Sequence, residues 1–248
     1  MNLLLLAIVS HLISDFLLQS NKIVKMKVNK YKKGYFIHGL IVFTFTFIIL
    51  LIYDLNIAFK FALIISFLHI ILDFIKGKIS SKSPKVELYS FVIDQLIHLI
   101  LIFLVWRYFM VNLTIPVSTN SNVISWGFTN FNTTVNEVLI FIMVYILVLF
   151  VGAVLLEKIL NIFDMKINNQ SEGLSMGRYI GIIERALILT LVTFGSISSI
   201  GIIFTAKSIA RFKKFENKKH FVEYYLLGTF TSIFIALVGG LVLKSVIN

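Results

Sequence analysis

Three histidine/aspartate pairs recur at one spacing inside long apolar runs, and this limits what the chain can fold into: His11 with Asp15, His69 with Asp73, and Asp94 with His98. On an α-helix a four-residue step turns about 40° and rises about 6 Å, so both members of each pair lie on one face, one turn apart. Three helices can each offer an imidazole/carboxylate edge, and His38, at the head of another apolar run, adds a single imidazole. The pattern reads as a metal site buried in a helical bundle.

The bundle is expected in lipid. Hydrophobic residues make up 58% of the 248 and charged residues 14%, with a mean hydropathy of +0.93, far outside the range of an ordinary soluble domain. The expected fold class is all-α: a polytopic transmembrane helical bundle of about six spanning helices plus a re-entrant hairpin. The absence of cysteine excludes thiolate ligands, leaving imidazole and carboxylate, which suit zinc first and manganese or iron after it. A net charge of +11 does not imply a nucleic-acid partner, because the basic residues sit in short loops, where they set topology and meet membrane lipids.

Residues 2–19, Tyr35–Tyr53, Ile57–Ile75, Leu88 to Met110, Val138–Leu156 and Phe221–Val246 form apolar runs, each expected to cross a hydrocarbon core of about 30 Å at about 1.5 Å per residue. The first run has no basic residue before it and no small-residue cleavage site, and reads as a retained helix. Lys22, Lys25, Lys27, Lys30, Lys32 and Lys33 follow it in a loop; the turn Asp54–Asn56 has no Lys or Arg, Lys76–Glu87 has four, and the segment Arg107–Glu137 only Arg107. This alternation predicts an amino terminus outside the bacterial inner membrane, with the first and third connections, and later Glu157–Gly177, in the cytoplasm. Expected organisation is a four-helix module over 1–110 carrying the His/Asp site, an extracytoplasmic loop over 111–137 and a second module over 138–248. Within the second module, Lys207, Arg211, Lys213, Lys214, Lys218 and Lys219 would lie outside if Arg178–Ala206 crossed once. The Gly195-Ser-Ile-Ser-Ser stretch and Gly201 predict instead a break, so that 178–206 re-enters, shielded by protein. Gly228, Gly239 and Gly240 suit close packing of the last helix.

Depth provides a check on the metal reading. Counted from the cytoplasmic ends, Asp15 and His11 lie roughly 10 and 16 Å deep, Asp73 and His69 roughly 5 and 10 Å, Asp94 and His98 roughly 10 and 15 Å, and His38 roughly 5 Å. All seven fall in the cytoplasmic half of the membrane. An ionisable group there costs about 3 kcal/mol or more on insertion scales and is normally paired, inward-facing and functional. The alternative is a set of hydrogen bonds stitching helices together; convergence of three pairs and a fourth histidine on one layer favours a site. Seven candidate ligands, His11, Asp15, His38, His69, Asp73, Asp94 and His98, suit two divalent ions, or one ion with carboxylates orienting the imidazoles.

Asp15, Asp73 and Asp94, with Gln95 and Lys76, are the candidate catalytic groups. Gln19 and Lys22 are placed to meet an anionic substrate arriving from the cytoplasmic interface. A second polar set comprises Glu184, Arg185, Lys207, Arg211 and Glu223. Adjacent residues on a helix point about 100° apart, so Glu184 and Arg185 should have separate partners, such as Lys207 or Glu223, and either brace the broken hairpin or bind substrate. His220, in the charged loop, reads as solvated.

The runs His11-Leu-Ile-Ser-Asp15-Phe-Leu-Leu-Gln19, His38-Gly39, His69-Ile-Ile-Leu-Asp73-Phe-Ile-Lys76 and Phe91-Val-Ile-Asp94-Gln95-Leu-Ile-His98 resemble the bacterial membrane family known only as domain of unknown function 3307. Gly177-Arg-Tyr-Ile-Gly181-Ile-Ile-Glu184-Arg185, Ala206-Lys207-Ser-Ile-Ala-Arg211-Phe and Glu223-Tyr-Tyr-Leu-Leu-Gly228-Thr229 resemble the extension of its longer members. More distantly, the intramembrane pairs are similar to those of metal-dependent hydrolases of bacterial inner membranes, which implies hydrolysis by analogy only. The function expected is metal-dependent hydrolysis of an ester or phosphoester in a lipid or lipid-linked substrate. Three other expectations stand beside it: a proton- or ion-coupled transporter using the cluster as a relay, a b-type haem protein, and a structural or signalling membrane partner.

Overall fold

The computed structural model describes residues 3–79, 83–112, 134–163, 171–217 and 219–247, and among these contains helices and no strand. In order they are α1 (Leu3–Phe16), α2 (Asn21–Val28), α3 (Lys32–Leu50), α4 (Leu55–Ile79), α5 (Pro84–Asn112), α6 (Val135–Ile146), a π-helical turn (Leu147–Val151), α7 (Gly152–Ile162), α8 (Ser171–Thr193), a 3₁₀ turn (Ile197–Ser199), α9 (Ile200–Asn217) and α10 (Lys219–Ile247). Five stretches are long and apolar enough to cross a membrane: Lys32–Leu50, Leu55–Lys78, Pro84–Val111, Val135–Ile162 and Val222–Val246. The bent pair α1 and α2 makes a sixth if counted as one broken span. The chain is an α-helical membrane protein of several spans.

Its first run departs from the expected single crossing. Helix α1 has 14 residues, about 21 Å at 1.5 Å per residue, short of the hydrocarbon core. Residues 21–28, expected as loop, form α2, bent by 80° from α1. The N–H groups of Leu17 and Leu18 both close on the Ile13 carbonyl at 3.0 Å, which unwinds the helix, and Ser20 enters α2 with extended backbone. Lysine is a good helix former, and Ile23 is the buried anchor that holds α2 in place.

The chain divides into two compact units, Met1–Met143 and Val144–Asn248. In the first, Leu3, Leu6 and Ala7 of α1, Val42 and Leu50 of α3, Ile57, Ala58, Phe61 and Ile65 of α4, and Ile102, Val105 and Phe109 of α5 form an apolar core. These residues precede the His/Asp pairs in α1 and α4 and follow the polar residues in α3 and α5. Successive membrane helices therefore alternate in direction, and an apolar layer is stacked along their axes against a polar one. Helix α4 starts where the Asp54 carboxylate accepts from the N–H groups of Asn56 (2.8 Å) and Ile57 (3.1 Å), an N-terminal cap. Pro84 opens α5, where its missing N–H has no helical partner to lose.

In the second unit, α10 packs closely on the π turn and on α8: a Cβ at Gly239 would meet Val148 Cγ2 at 2.4 Å, and one at Gly240 would meet Val192 Cβ at 2.5 Å. Helix α8 stops at Thr193 and Gly195 adopts a left-handed φ of +79°, which glycine tolerates without a Cβ clash. The chain then resumes as α9, and Lys207 of α9 pairs with Glu184 of α8. The two partners lie at nearly equal distances from the break, so α8 and α9 form an antiparallel hairpin. Residues 113–133 of the expected extracytoplasmic loop, 164–170 of the Glu157–Gly177 loop, and the His220 side chain lie outside the described residues.

Candidate metal centre

Close approach of α3 to α4 builds the centre. A Cβ on Gly39 would stand 2.2 Å from Ile70 Cδ1, so no larger residue fits at this crossing without movement. His38 and His69, the residues immediately before those two, meet there with their Nε2 atoms 2.9 Å apart. Oδ1 of Asp15, from α1, lies 3.3 Å from the first of these nitrogens and 3.4 Å from the second. Oδ2 of Asp73 lies 3.8 and 3.6 Å from the same two atoms. Two ligand atoms held at about 2.0–2.1 Å by a tetrahedral ion are about 3.3–3.4 Å apart, so these separations bracket the edge of a zinc-sized coordination shell.

Two further triads overlap with this one. Donor atoms of His11, Asp15 and His69, of His38, His69 and Asp73, and of Asp73, Asp94 and His98 each fall within 4.8 Å of one another. His69 and Asp73 are shared, so the seven side chains form one continuous cluster, with the His69 ring 4.3 Å from that of His98 and the His11 ring stacked on His98 at 5.1 Å. His11, His38, His69, Asp73, Asp94 and His98 are buried and Asp15 nearly so.

Hydrogen bonding fixes which atoms are available. His98 Nδ1 donates to the Asp94 carbonyl at 2.8 Å; a carbonyl only accepts, so Nδ1 carries a proton and, in the neutral ring that ligation requires, Nε2 presents a lone pair. That Nε2 is buried without a hydrogen-bond partner, as are both ring nitrogens of His11 and Nδ1 of His38, whereas Asp15 Oδ1 faces the His38 and His69 nitrogens. A ligand imidazole with its other nitrogen tied to a backbone carbonyl is the usual orientation at metal sites. A buried polar atom left unpaired costs about 1–3 kcal/mol, and the cluster gathers several whose geometry is able to hold a cation.

Two lysines balance part of the charge. Lys27 donates to Asp73 Oδ2 at 2.5 Å and Lys76 to Asp94 Oδ2 at 2.6 Å, with Gln95 Nε2 donating to the same Asp94 oxygen at 3.2 Å. With its amide turned to satisfy both neighbours, Gln19 donates to the Asp15 carbonyl at 3.2 Å and accepts from Lys27 at 2.6 Å. Lys22 is exposed on α2, and the α2 lysine brought to the cluster is Lys27, which the sequence reading did not single out. The signal was the helical period: Lys27 lies four residues after the buried Ile23. A Cβ at Gly34 would meet Met26 Cβ at 2.7 Å, so this glycine lets α2 and α3 approach and brings Lys27 inward. Also missed were Ser10, next to His11 in the chain, and Thr46, two turns beyond His38; both are buried and joined by a 2.6 Å hydrogen bond.

The second polar set lies in the second unit. Glu184 pairs with Lys207, whereas Arg185 donates from Nη1 to Ser232 Oγ (3.2 Å) and from Nη2 to the Leu149 carbonyl in the π turn (2.9 Å). Arg211 and Lys207 each lie 5.7 Å from the Tyr225 ring, and Glu223 is exposed.

Fold and site together define an α-helical membrane protein with a buried His/Asp cluster able to ligate a cation. Residues 3–126, half of the chain, match the family described as protein of unknown function (DUF3307), and the chain belongs to that family. The matched region contains all seven candidate ligands. No curated protein and no solved structure matches the chain.

Proposed function

We propose that the first unit is a divalent-metal centre which hydrolyses an ester or phosphoester in a lipid or lipid-linked substrate reached from the cytoplasmic face of the bacterial inner membrane. The observation that carries this reading is the meeting of His38 Nε2, His69 Nε2 and Asp15 Oδ1 at 2.9 to 3.4 Å, beside buried lone pairs on His11 and His98 that have no hydrogen-bond partner. His38, His69, Asp15 and Asp73 would hold one ion; His98, Asp94 and His11 would hold a second or orient the first set. Zinc fits this donor set best, with manganese or iron as alternatives.

Charge supports an anionic substrate. Three carboxylates against two lysines leave one negative charge, with imidazoles neutral as ligation requires, and a single divalent ion reverses its sign. A bound ion would supply water activation and polarise the scissile bond. Asp15 or Asp94 would accept the proton released by the attacking water. Lys27 and Lys76, only part-buried, would turn from their carboxylates toward a phosphoryl group.

Elemental analysis by inductively coupled plasma mass spectrometry, on full-length protein purified in mild detergent without chelator or metal-affinity tag, tests the reading. One or two equivalents of metal are expected in the wild type and a loss in His69→Ala and Asp73→Ala. Unchanged metal content in both variants would overturn it. The 2.9 Å contact between the His38 and His69 nitrogens, a hydrogen-bond distance, favours a second reading in which the cluster relays protons in a coupled transporter. Cysteine labelling in this cysteine-free chain separates the two, since the transporter requires water to reach the cluster from both faces.

A further inference from the structure

From the second unit we infer an oxyanion site at Arg185, built to take a phosphate or carboxylate group. Arg185 is 1% exposed, yet its neighbours do not neutralise it. One of its bonds goes to a serine hydroxyl and one to a backbone carbonyl, and its Nε has no partner. The adjacent carboxylate, Glu184, is already paired with Lys207. A buried guanidinium that retains its charge and a spare N–H is costly unless an anion completes it.

Space for such a group exists on the same helix. Gly181 precedes Arg185 by one turn, and among the described residues, apart from its own stretch of helix backbone and its chain neighbours, the heavy atom within 4 Å of a Cβ built there is Arg185 Nη1, at 3.4 Å. Gly177, another turn back, is exposed, with no heavy atom of the described residues within 4 Å of a Cβ built there. Without a side chain, Gly181 leaves an open strip of α8 beside the guanidinium Nη1. On its other side Arg185 Cδ lies 3.8 Å from the Cβ position of Gly152, so that glycine also makes room for the arginine. The Leu149 carbonyl that holds Nη2 lies in the π turn and Ser232 of α10 holds Nη1, so the unpartnered donor is Nε–H, on the edge that Nε shares with Nη2. A planar fork of N–H donors matches the two oxygens of a phosphate or carboxylate.

The group could arrive on a lipid headgroup or as a free anion, and one experiment distinguishes them. Full-length protein in mild detergent is titrated with phosphatidylglycerol, phosphatidylcholine or inorganic phosphate, and retained ligand is counted by native mass spectrometry. Wild type is expected to retain phosphatidylglycerol over phosphatidylcholine if the source is lipid, or to bind phosphate and release the lipid if the source is free anion. Gly181→Leu fills the strip without removing a hydrogen bond, and should weaken the retained ligand about tenfold or more; Arg185→Gln should do the same. If Arg185→Gln fails to fold, Gly181→Leu decides alone. Wild-type protein that retains neither anion, or a folded Gly181→Leu protein that binds as wild type does, would overturn the site. Metal content plays no part in these outcomes.

Discussion

The two units bury different kinds of unmet hydrogen bonding. Among the described residues, the unpaired atoms of the first are imidazole nitrogens of His11, His38 and His98, the last a free acceptor in the neutral ring, with the Ser14 hydroxyl, beside Asp15 Oδ1, which faces the His38 and His69 nitrogens; in the second, the unpaired atom is a donor, the Nε of Arg185. On the proposed readings the missing partners differ in sign: a cation for the His/Asp cluster, an anion for Arg185.

The largest expected effect breaks the acceptor side of this comparison. His69→Ala removes the imidazole common to two of the three triads, and Asp15→Ala the oxygen that faces both His38 and His69. Each should lower metal affinity by about 100-fold or more, beyond the 10–100-fold typical of residues that only orient ligands. Metal titration of the detergent-solubilised protein after chelator treatment gives the number, with circular dichroism as the control for folding. Arg185→Gln should leave this affinity unchanged, since the two sites differ in sign and ligand.

Next in size is the helix crossing. Gly39→Ala introduces a methyl 2.2 Å from Ile70 Cδ1 and 2.4 Å from its Cγ1, and should destabilise the protein by about 1–3 kcal/mol as an overpacked contact. Because His38 and His69 adjoin those residues, separation of α3 from α4 should also weaken metal binding. The double variant Gly39→Ala/Ile70→Ala removes both clashing atoms and should recover most of the affinity while remaining less stable than wild type. Thermal unfolding and metal titration on the same samples separate these effects; no recovery in the double variant would mean that Gly39 does not set the spacing of the two imidazoles.

How much of this was legible in the sequence depended on whether a residue's role repeats at a helical period. The seven candidate ligands were, because i,i+4 spacing puts a pair on one face and burial in lipid makes an unpaired charge costly. The break before α9 was legible too, through Gly195 and the serines that follow it. Residues 17–20 were not: Leu17 and Leu18 continue the apolar pattern of α1, and nothing local marks the point where both N–H groups turn to Ile13. The lysines beyond them looked like a topological signal, which concealed α2 and drew attention to Lys22 rather than Lys27. No local mark exists for the π turn either. Leu147–Val151 is uniformly apolar, and the carbonyl it supplies is bonded by an arginine 36 residues away.

A smaller effect is expected on the donor side. Glu184→Gln keeps the volume of the side chain but leaves Lys207 without its counter-charge between α8 and α9. Both groups retain some exposure, so the cost should be about 1 kcal/mol, read as a modest fall in thermal midpoint. Anion retention at Arg185 should rise, because the nearest negative charge is gone. Weaker retention would mean that Glu184 positions the site instead of opposing its ligand.

The smallest effect tests what Lys27 does at the cluster. Its ammonium bonds Asp73 Oδ2 at 2.5 Å, and two roles with opposite signs follow. If it substitutes for the ion as counter-charge, removing it relieves repulsion between two cations, and metal binds more tightly. If it orients Asp73 as a ligand, removing it loosens the site. Lys27→Met preserves length and packing while deleting the charge. Asp73 is a member of two triads, and the lysine bonds the same Oδ2 that faces the His38 and His69 nitrogens, so the counter-charge role has the stronger support. Metal affinity should rise roughly fivefold, equivalent to about 1 kcal/mol for a part-buried pair, and the metal-free protein should become less stable by a similar amount. Where the substrate is anionic, the same variant should raise KM with little change in kcat, because the lysine that leaves the carboxylate on metal binding would meet the substrate's charge.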